Sequence, residues 1–98
     1  MNDLDRVIHE PARLLIVALL ASVKEADFLW VQRESALTKG NLSSHLTKLE
    51  ESGYVEIEKT YRGKIPLTIL RLTHNGRTAF AVYKRNMNGL LRKGAVRS

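Results

Sequence analysis

The chain has 98 residues, a hydrophobic content of 44% and a formal net charge of +6 at neutral pH. This length suits one small domain, spanning residues 1–98, and leaves no room for a second. Because the chain contains no cysteine, disulfide frameworks, zinc–thiolate sites and thiol catalysis are excluded.

The charge is unevenly distributed along the chain. Residues 1–37 contain four Lys/Arg and six Asp/Glu, a net charge of −2, whereas residues 38–98 contain twelve and four, a net charge of +8. Such a concentration of positive charge indicates a polyanionic partner, either a nucleic acid or an anionic membrane. A basic surface that serves only solubility is the alternative.

The longest apolar run is LLIVALLA, residues 14–21. Eight residues are too few to cross a bilayer, which requires about 20. A signal peptide begins with positive charge, but Asp3, Asp5 and Glu10 precede this run. We therefore expect neither a membrane span nor a signal peptide.

The first helix is predicted to begin at Pro11, because proline is favoured at the first helical position, and to run to about Val23. Its apolar residues, Leu15 and Leu19 among them, go nearly all round the helix. A helix that is apolar on every side must be covered on every side, which one small domain cannot do alone. The sequence therefore predicts a cover from a second copy of the chain or from the C-terminal helix.

Two short helices are predicted next. Asp27 is expected to cap the segment FLWVQRESA, in which Phe28 and Trp30 are buried anchors or, alternatively, line a small-molecule pocket. Thr38 is expected to cap a third helix that extends to about residue 52 and ends at Gly53, in the left-handed conformation.

A β-hairpin is predicted for residues 54–73, because Val55 and Ile57 alternate with Glu56 and Glu58 at a period of two and LTILRL is a second β-branched and apolar run. Gly63 supplies the turn and Pro66 lies at a strand edge. Thr73 is then expected to cap a final helix over about residues 74–93. The order helix, helix, helix, strand, strand, helix is that of the winged helix-turn-helix arrangement.

The final helix carries an apolar stripe at helical spacing, which we expect to lie beyond the compact core. Packing of this stripe against the first helix across a two-fold axis is the favoured interpretation. A helix lying on a membrane surface is the alternative, because lysines and arginines accompany the stripe. The predicted dimerisation residues are Leu15, Leu19, Phe80, Tyr83, Met87 and Leu90.

The third helix has one apolar face, formed by Leu42, Leu46 and Leu49. Small polar or basic residues occupy the rest of its surface, and no acid occurs before Glu50. Small hydroxyls and amides allow a helix to approach the DNA major groove closely and to hydrogen-bond with base edges. Gly40, which costs up to about 1 kcal/mol in a helix, is interpreted as leaving space for that approach. An ordinary solvated face is the alternative.

Catalysis and metal binding are not expected. His9, His45 and His74 show no ligand spacing and have no carboxylate near them at the right interval. Ser43, Ser44 and His45 are successive helical residues whose side chains point in different directions, and no orienting acid is near. We predict no enzymatic activity, no cofactor and no metal.

From residue 11 to about 83, the sequence resembles the MarR/ArsR-like winged helix-turn-helix transcriptional regulators. It is most similar to the short stand-alone family called winged helix DNA-binding domain. The resemblance is carried by LTKGNLSSHLTKLEESGYV and by LTHNGRTAF. One departure is His74-Asn75, where members of the family often have Pro-Glu.

The resemblance implies a mainly α fold with a small β-hairpin (α+β), in the order α-α-α-β-β-α. It implies a homodimeric, sequence-specific regulator of transcription that binds double-stranded DNA, in the cytoplasm on the nucleoid. Helix 38–52 would enter the major groove, and the basic wing 59–66 would contact the backbone or the minor groove. The implied helix contacts are Thr38, Lys39, Asn41, Ser43, Ser44, His45 and Lys48; the implied wing contacts are Arg62 and Lys64.

Two other functions remain open at this stage: a winged helix used for protein–protein contact and one that binds RNA. The sequence carries no residues that match an effector site of the family, so a small-molecule effector stays unknown.

Overall fold

The computed structural model describes residues 4–97, with side chains described as far as Gly94. The elements are α1 (Pro11–Ala21), β1 (Ala26–Asp27), α2 (Phe28–Ser35), α3 (Lys39–Glu51), β2 (Val55–Arg62), β3 (Ile65–Leu72) and α4 (His74–Arg97). The predicted fold of four helices with a hairpin before the last one is confirmed. One further strand, β1, is not predicted by the sequence; it pairs antiparallel with β3 and gives the sheet order β1-β3-β2.

Three helices begin with the side-chain caps that the sequence predicts. In each, a side-chain oxygen of the residue before the helix accepts a hydrogen bond from the backbone N–H three residues later. The caps are Asp27 for α2 at 2.7 Å, Thr38 for α3 at 3.1 Å and Thr73 for α4 at 3.0 Å. The predicted end of α3 is also confirmed, since Gly53 has a φ of +79°.

One hydrophobic core joins the helices to the sheet. Its buried members are Ile8, Ile16, Val17, Leu20, Val31, Leu42, Leu46, Leu49, Val55, Leu70, Leu72, Phe80 and Tyr83. Only 9% of Phe80 and 3% of Tyr83 is exposed. The prediction that placed these two aromatic residues beyond the core is therefore wrong. The reason is that the first turns of α4 pack against α1 and β3 of the same chain.

The start of β2 is tied to the start of α4 by a group of short backbone contacts, here called the Tyr54 junction (Gly53, Tyr54, Thr73 and Gly76). The carbonyl oxygen of Tyr54 accepts a hydrogen bond from the Thr73 N–H at 3.0 Å. The Thr73 hydroxyl donates to the carbonyl of Gly53 at 2.6 Å. Gly76 packs so closely that an added Cβ would clash with the Tyr54 carbonyl.

The side chain of Tyr54 extends the junction to the N-terminal segment. Its hydroxyl donates a hydrogen bond of 2.5 Å to Asp5, and this bond, together with burial and the Asp5 charge, raises the pKa of Tyr54 to about 12. The other oxygen of Asp5 accepts hydrogen bonds from the backbone of Val7 and Ile8. Five segments of the chain therefore meet at this junction: the N-terminal segment, the end of α3, β2, β3 and α4.

We expect Gly76→Ala to lower the free energy of unfolding by about 1–3 kcal/mol, the range typical of overpacking a close contact. The new methyl group would meet a backbone carbonyl that is already held by a hydrogen bond. Gly40→Ala is the matched control, because no atom lies within 4 Å of the added Cβ and alanine favours the helix. Denaturant unfolding of both variants tests this, and equal stability of the two would contradict it.

Candidate nucleic-acid interface

The outer surface of α3 is polar, small and free of acids over its first three turns. Leu42, Leu46 and Leu49 are buried as predicted, with 0%, 2% and 0% exposure. The predicted contact residues of this helix that are exposed, together with its cap, are Thr38, Lys39, Asn41, Ser43, Ser44 and Lys48. The acids of α3, Glu50 and Glu51, lie in its last turn. The surface that could meet a polyanion is therefore the N-terminal part of the helix.

Gly40 and Ser44 lie one helical turn apart near the middle of this outer surface. Open space surrounds Gly40, with no atom within 4 Å of a Cβ added there. The first N–H groups of a helix have no partner within it, and the helix dipole makes this end positive. Lys39, in the first position of α3, adds its own charge. This end of the helix suits a phosphate group.

A groove of about 550 Å³ separates α3 from the hairpin. Lys39, Ser43 and Thr47 line it from α3, while Lys59 and its strand partner Thr68 line it from the hairpin. Asp27, the cap of α2, and Gln32 also line it, and apolar side chains complete the lining: Phe28, Leu29, Leu46, Ile57, Pro66 and Leu67. Lysines on both walls outnumber the one acid, Asp27, and together with the hydroxyls between them they suit one strand of a phosphodiester backbone.

Lys59 and Thr47 are not among the contact residues predicted from the sequence. The signal for Lys59 was present, because the period of two that puts Val55 and Ile57 on the core face also puts Lys59 there. Thr47 follows Ser43 by one helical turn, so it shares the side of α3 that faces the wing. Its hydroxyl donates to the Ser43 carbonyl at 3.0 Å.

The hairpin ends in a basic turn. Gly63 adopts a φ of +62°, which glycine allows, and Arg62 and Lys64 flank it with exposed side chains. Two large apolar side chains stand beside these charges: Tyr61 is 69% exposed and Ile65 is 67% exposed. We call residues 61–65 the wing tip.

His45 does not join the other predicted contact residues. Its Nδ1 lies 3.3 Å from Arg13 Nη1 and 3.3 Å from a carboxylate oxygen of Glu10, and its side chain is 23% exposed. The prediction that grouped His45 with the exposed contacts differs from the structure. His45 follows Leu42 by three residues and precedes Leu49 by four, so it lies beside the core face of α3 and contacts α1.

Glu10 connects this contact to the start of α1. Its carboxylate accepts hydrogen bonds from the N–H groups of Ala12 at 2.8 Å and Arg13 at 3.2 Å and so caps the helix. Burial alone would raise the pKa of Glu10, but these hydrogen bonds and the charges of His45 and Arg13 lower it below its ordinary value. Arg13 also donates from Nε to the Val7 carbonyl at 2.6 Å. The cluster therefore joins the back of α3 to α1 and to the N-terminal segment.

The other face of the hairpin is acidic at its base. Arg71 contacts three carboxylates: Glu25 at 2.9 Å, Glu56 at 2.6 Å and Glu58 at 2.9 Å. Hydrogen bonds to Glu25, then Glu56 and Glu58, raise the pKa of Arg71 above its usual value. Three negative charges surround one positive charge here, on the face of β2 opposite Lys59. The base of the hairpin thus carries opposite charge on its two faces.

Within residues 4–97, no group of three or more His, Cys, Asp or Glu side chains is arranged to hold a metal ion. None of the helices in this range combines the length and the apolar character needed to cross a lipid bilayer.

Comparison with known proteins agrees with this geometry. A family model described as winged helix DNA-binding domain matches residues 12–91. The chain belongs to this family. Another protein similar to it is the uncharacterized protein MJ0432 of Methanocaldococcus jannaschii, which is 38% identical over 79 residues, covering 80% of this chain and 85% of MJ0432.

Solved structures place this winged helix among transcriptional regulators. A transcriptional regulator homologue from Pyrococcus horikoshii OT3 has a TM-score of 0.86 and 27% identity, over 91% of this chain and 88% of that one. Reduced AbfR bound to DNA has a TM-score of 0.71 and 25% identity, over 85% of this chain and 61% of the AbfR chain. A structure described as a MarR-family regulator from Porphyromonas gingivalis W83, at 14% identity and a TM-score of 0.68 over 92% and 83%, shares the fold.

We expect Glu10→Gln to lower the free energy of unfolding by about 1 kcal/mol at pH 7, a typical value for a helix cap. The folded-state pKa of Glu10 lies below 4.5, so the carboxylate stabilises the fold above pH 4.5 and loses that effect as pH falls through the folded value. The difference in the free energy of unfolding between wild type and variant should therefore become smaller below pH 4.5.

Denaturant unfolding at about pH 3 to about pH 7 measures the difference in the free energy of unfolding between wild type and Glu10→Gln. Glu34→Gln, a change at an exposed position of α2, is the control. A difference that stays constant across this pH range would contradict the role assigned to the Glu10 carboxylate.

Proposed function

We propose that this winged helix is a sequence-specific, double-stranded DNA-binding transcriptional regulator that acts as a homodimer. The observation that carries the proposal is the continuity of one basic surface. It runs from the acid-free N-terminal part of α3, across a groove in which Lys39 and Lys59 outnumber the one acid, Asp27, to the wing tip. The acidic cluster around Arg71 occupies the opposite face of the hairpin.

In this proposal, α3 enters the major groove with its N-terminal part. Asn41, Ser43 and Ser44 carry amide and hydroxyl groups short enough to hydrogen-bond with base edges at close approach. The open space at Gly40 permits that approach. Lys39 and Lys48 bind phosphates at the rims, which fixes the register of the helix without reading sequence.

The groove between α3 and the hairpin would hold one phosphodiester strand between Lys39 and Lys59. The wing tip would then extend Arg62 and Lys64 along the same duplex, toward the next minor groove. The fold shared with DNA-bound AbfR supports DNA as the partner of this surface.

His45 has an indirect role in this proposal. Its contacts with Glu10 and Arg13 hold the rear of α3 against α1, so it helps to set the orientation of the helix. We therefore assign it to positioning rather than to DNA contact.

The homodimer is supported by apolar surface left uncovered within one chain. Leu15 of α1 is 40% exposed, and Leu90 and Leu91 of α4 are 39% and 64% exposed. α4 has 24 residues and, at 1.5 Å per residue, is about 36 Å long, whereas the two shorter dimensions of the molecule are 25 and 20 Å. Its C-terminal half thus extends past the core that Phe80 and Tyr83 complete.

A second copy covering this surface would bury Leu15, Leu19, Met87 and Leu90. Two-fold symmetry would present two α3 helices to half-sites about one helical turn of DNA apart.

RNA is the weaker alternative. The major groove of A-form RNA is too deep and narrow for side chains to read, so α3 would lack the site that its small, open surface suits. Competition between a DNA duplex and an RNA duplex of the same sequence separates the two.

A function in protein–protein contact alone is disfavoured by the charge of the surface. A gel shift with mixed genomic DNA fragments tests this alternative, because a module that binds only proteins would not retard them.

We expect Lys48→Ala and Arg62→Ala each to weaken binding to all DNA sequences and to lower the slope of log K against log salt concentration by about 1. Each substitution removes one contact with a phosphate, so that fewer counterions are released from the DNA on binding. Fluorescence anisotropy with a labelled duplex at several salt concentrations measures both effects.

Lys24→Ala is the control for this measurement, because it removes the same charge beside Glu25, near the acidic cluster. Its affinity and salt slope should match those of the wild type. A wild-type affinity that does not depend on salt would reject DNA as the partner of this surface.

We expect the double variant Leu15→Glu/Leu90→Glu to be a monomer of 11.1 kDa, where the wild type has twice that mass. Each glutamate would bury a charge in the proposed interface. Light scattering after size-exclusion chromatography measures the mass. Leu29→Glu is the control, because Leu29 is 68% exposed but lies on α2. A wild type that is monomeric at micromolar concentration would overturn the homodimer.

A further inference from the structure

We propose that Tyr61 and Ile65 form an apolar wedge that inserts into the DNA minor groove and selects DNA steps that are easily deformed. The wedge would add specificity at base pairs that α3 does not contact. This inference rests on the proposed function and extends it to the part of the wing that the basic residues leave unexplained.

The hairpin carries these side chains away from the core. Val55 and its partner Leu72 are buried, as is Leu70 opposite Ile57, but residues 61 to 66 are all exposed. Four residue pairs, from Lys59↔Thr68 to Arg62↔Ile65, follow Glu58↔Ile69 toward the turn, and both members of the last two pairs are exposed. At about 3.4 Å per residue, the tip extends on the order of 10 Å beyond the packed sheet.

Packing within the chain does not account for Tyr61 and Ile65. Both are about two-thirds exposed, and each lies on a different face of the hairpin, because Tyr61 pairs with Pro66 and Ile65 pairs with Arg62. The turn therefore presents one large apolar side chain on each side. Exposed apolar groups concentrated at one place commonly mark a binding surface.

Charge identifies the partner as nucleic acid. Residues 59–70 contain Lys59, Arg62 and Lys64 and no aspartate or glutamate. The adjoining groove is lined by Lys59 and a further lysine, Lys39, and by one acid, Asp27. An apolar protein partner alone would leave these cations desolvated without counter-charge, whereas a minor groove offers phosphates for the cations and sugar and base surfaces for the apolar side chains.

The expected mechanism is partial unstacking. Apolar side chains that enter a minor groove wedge between base pairs, and flexible pyrimidine–purine steps yield to them most easily. Arg62 and Lys64 would hold the tip at the backbone while Tyr61 and Ile65 contact sugars and bases. The chain should therefore bend its DNA and favour a TA or CA step at the position of the wing.

The test compares Tyr61→Ser and Ile65→Ser with Arg62→Ala on two duplexes that share one selected half-site. One duplex has a TA step under the wing, located by footprinting, and the other has an A-tract there. Affinity, salt slope and DNA bending are measured, the last by energy transfer between dyes at the duplex ends. Tyr61→Phe keeps the apolar ring and serves as the conservative control.

We expect wild type and Tyr61→Phe to prefer the TA duplex and to bend it. The two serine variants should bind it about tenfold more weakly, lose the bend and keep the wild-type salt slope, whereas Arg62→Ala lowers the slope. Circular dichroism should report an unchanged fold, since both side chains are exposed.

Salt-dependent wild-type binding combined with unchanged affinity and bend in both serine variants would overturn the wedge and leave the proposed function intact. Absence of any wild-type DNA binding would overturn both. A change of oligomeric mass in the serine variants, with DNA bending unaffected, would assign the tip to a second copy of the chain and also overturn the wedge.

Discussion

The close approach of Gly76 to the carbonyl of Tyr54 is the constraint on which the rest of the structure depends. The same carbonyl accepts the Thr73 N–H at 3.0 Å, and the Tyr54 N–H donates to Leu49, in the last turns of α3, at 3.0 Å. A single residue therefore joins the end of α3, the first residue of β2 and the start of α4. This contact helps to hold α3 and the hairpin, the two walls of the groove, in their relative position. No side chain larger than hydrogen fits at position 76 without moving one of these elements.

The proposed DNA surface combines two kinds of contribution. The N-terminal part of α3 offers little charge and much free space, through Gly40, Ser43 and Ser44, so it suits close contact with base edges. The hairpin offers charge and reach, through Lys59, Arg62 and Lys64, so it suits the backbone. His45, Glu10 and Arg13 support the helix from behind, where α1 joins it. Stability and recognition are thereby assigned to opposite sides of the same helix.

Much of the fold was predictable because local signals are strong here. The caps at Asp27, Thr38 and Thr73, the left-handed Gly53 and the period of two in β2 all act within a few residues, and the structure confirms them. Long-range packing was less accessible. The spacing of Phe80 and Tyr83 reveals an apolar stripe but not how far along α4 the core of one chain extends. The two-residue β1 is too short to leave a pattern, and it exists because β3 pairs with it.

The same limit applies to the candidate site. The exposure of the polar residues of α3 followed from the positions of Leu42, Leu46 and Leu49. His45 lies at the margin of that apolar face, where a helical wheel does not decide between solvent and a neighbouring helix. Its contacts with Glu10 and Arg13, which lie at least 32 residues away in the sequence, direct His45 toward α1. Lys59 was predictable from strand alternation, whereas the width of the groove that it shares with Lys39 depends on tertiary structure.

The carboxylates around Arg71 have a consequence for how the protein would reach a nucleic acid. A molecule with cations at the tip of its hairpin (Arg62 and Lys64) and surplus acids at the base of one face has a permanent electric asymmetry. In the electric field of a nucleic acid, such a molecule experiences a torque as well as an attraction, so it would orient its hairpin tip toward the nucleic acid before contact. Glu25, Glu56 and Glu58 would thus reduce the number of unproductive encounters, and added salt would slow association through lost orientation as well as through lost attraction.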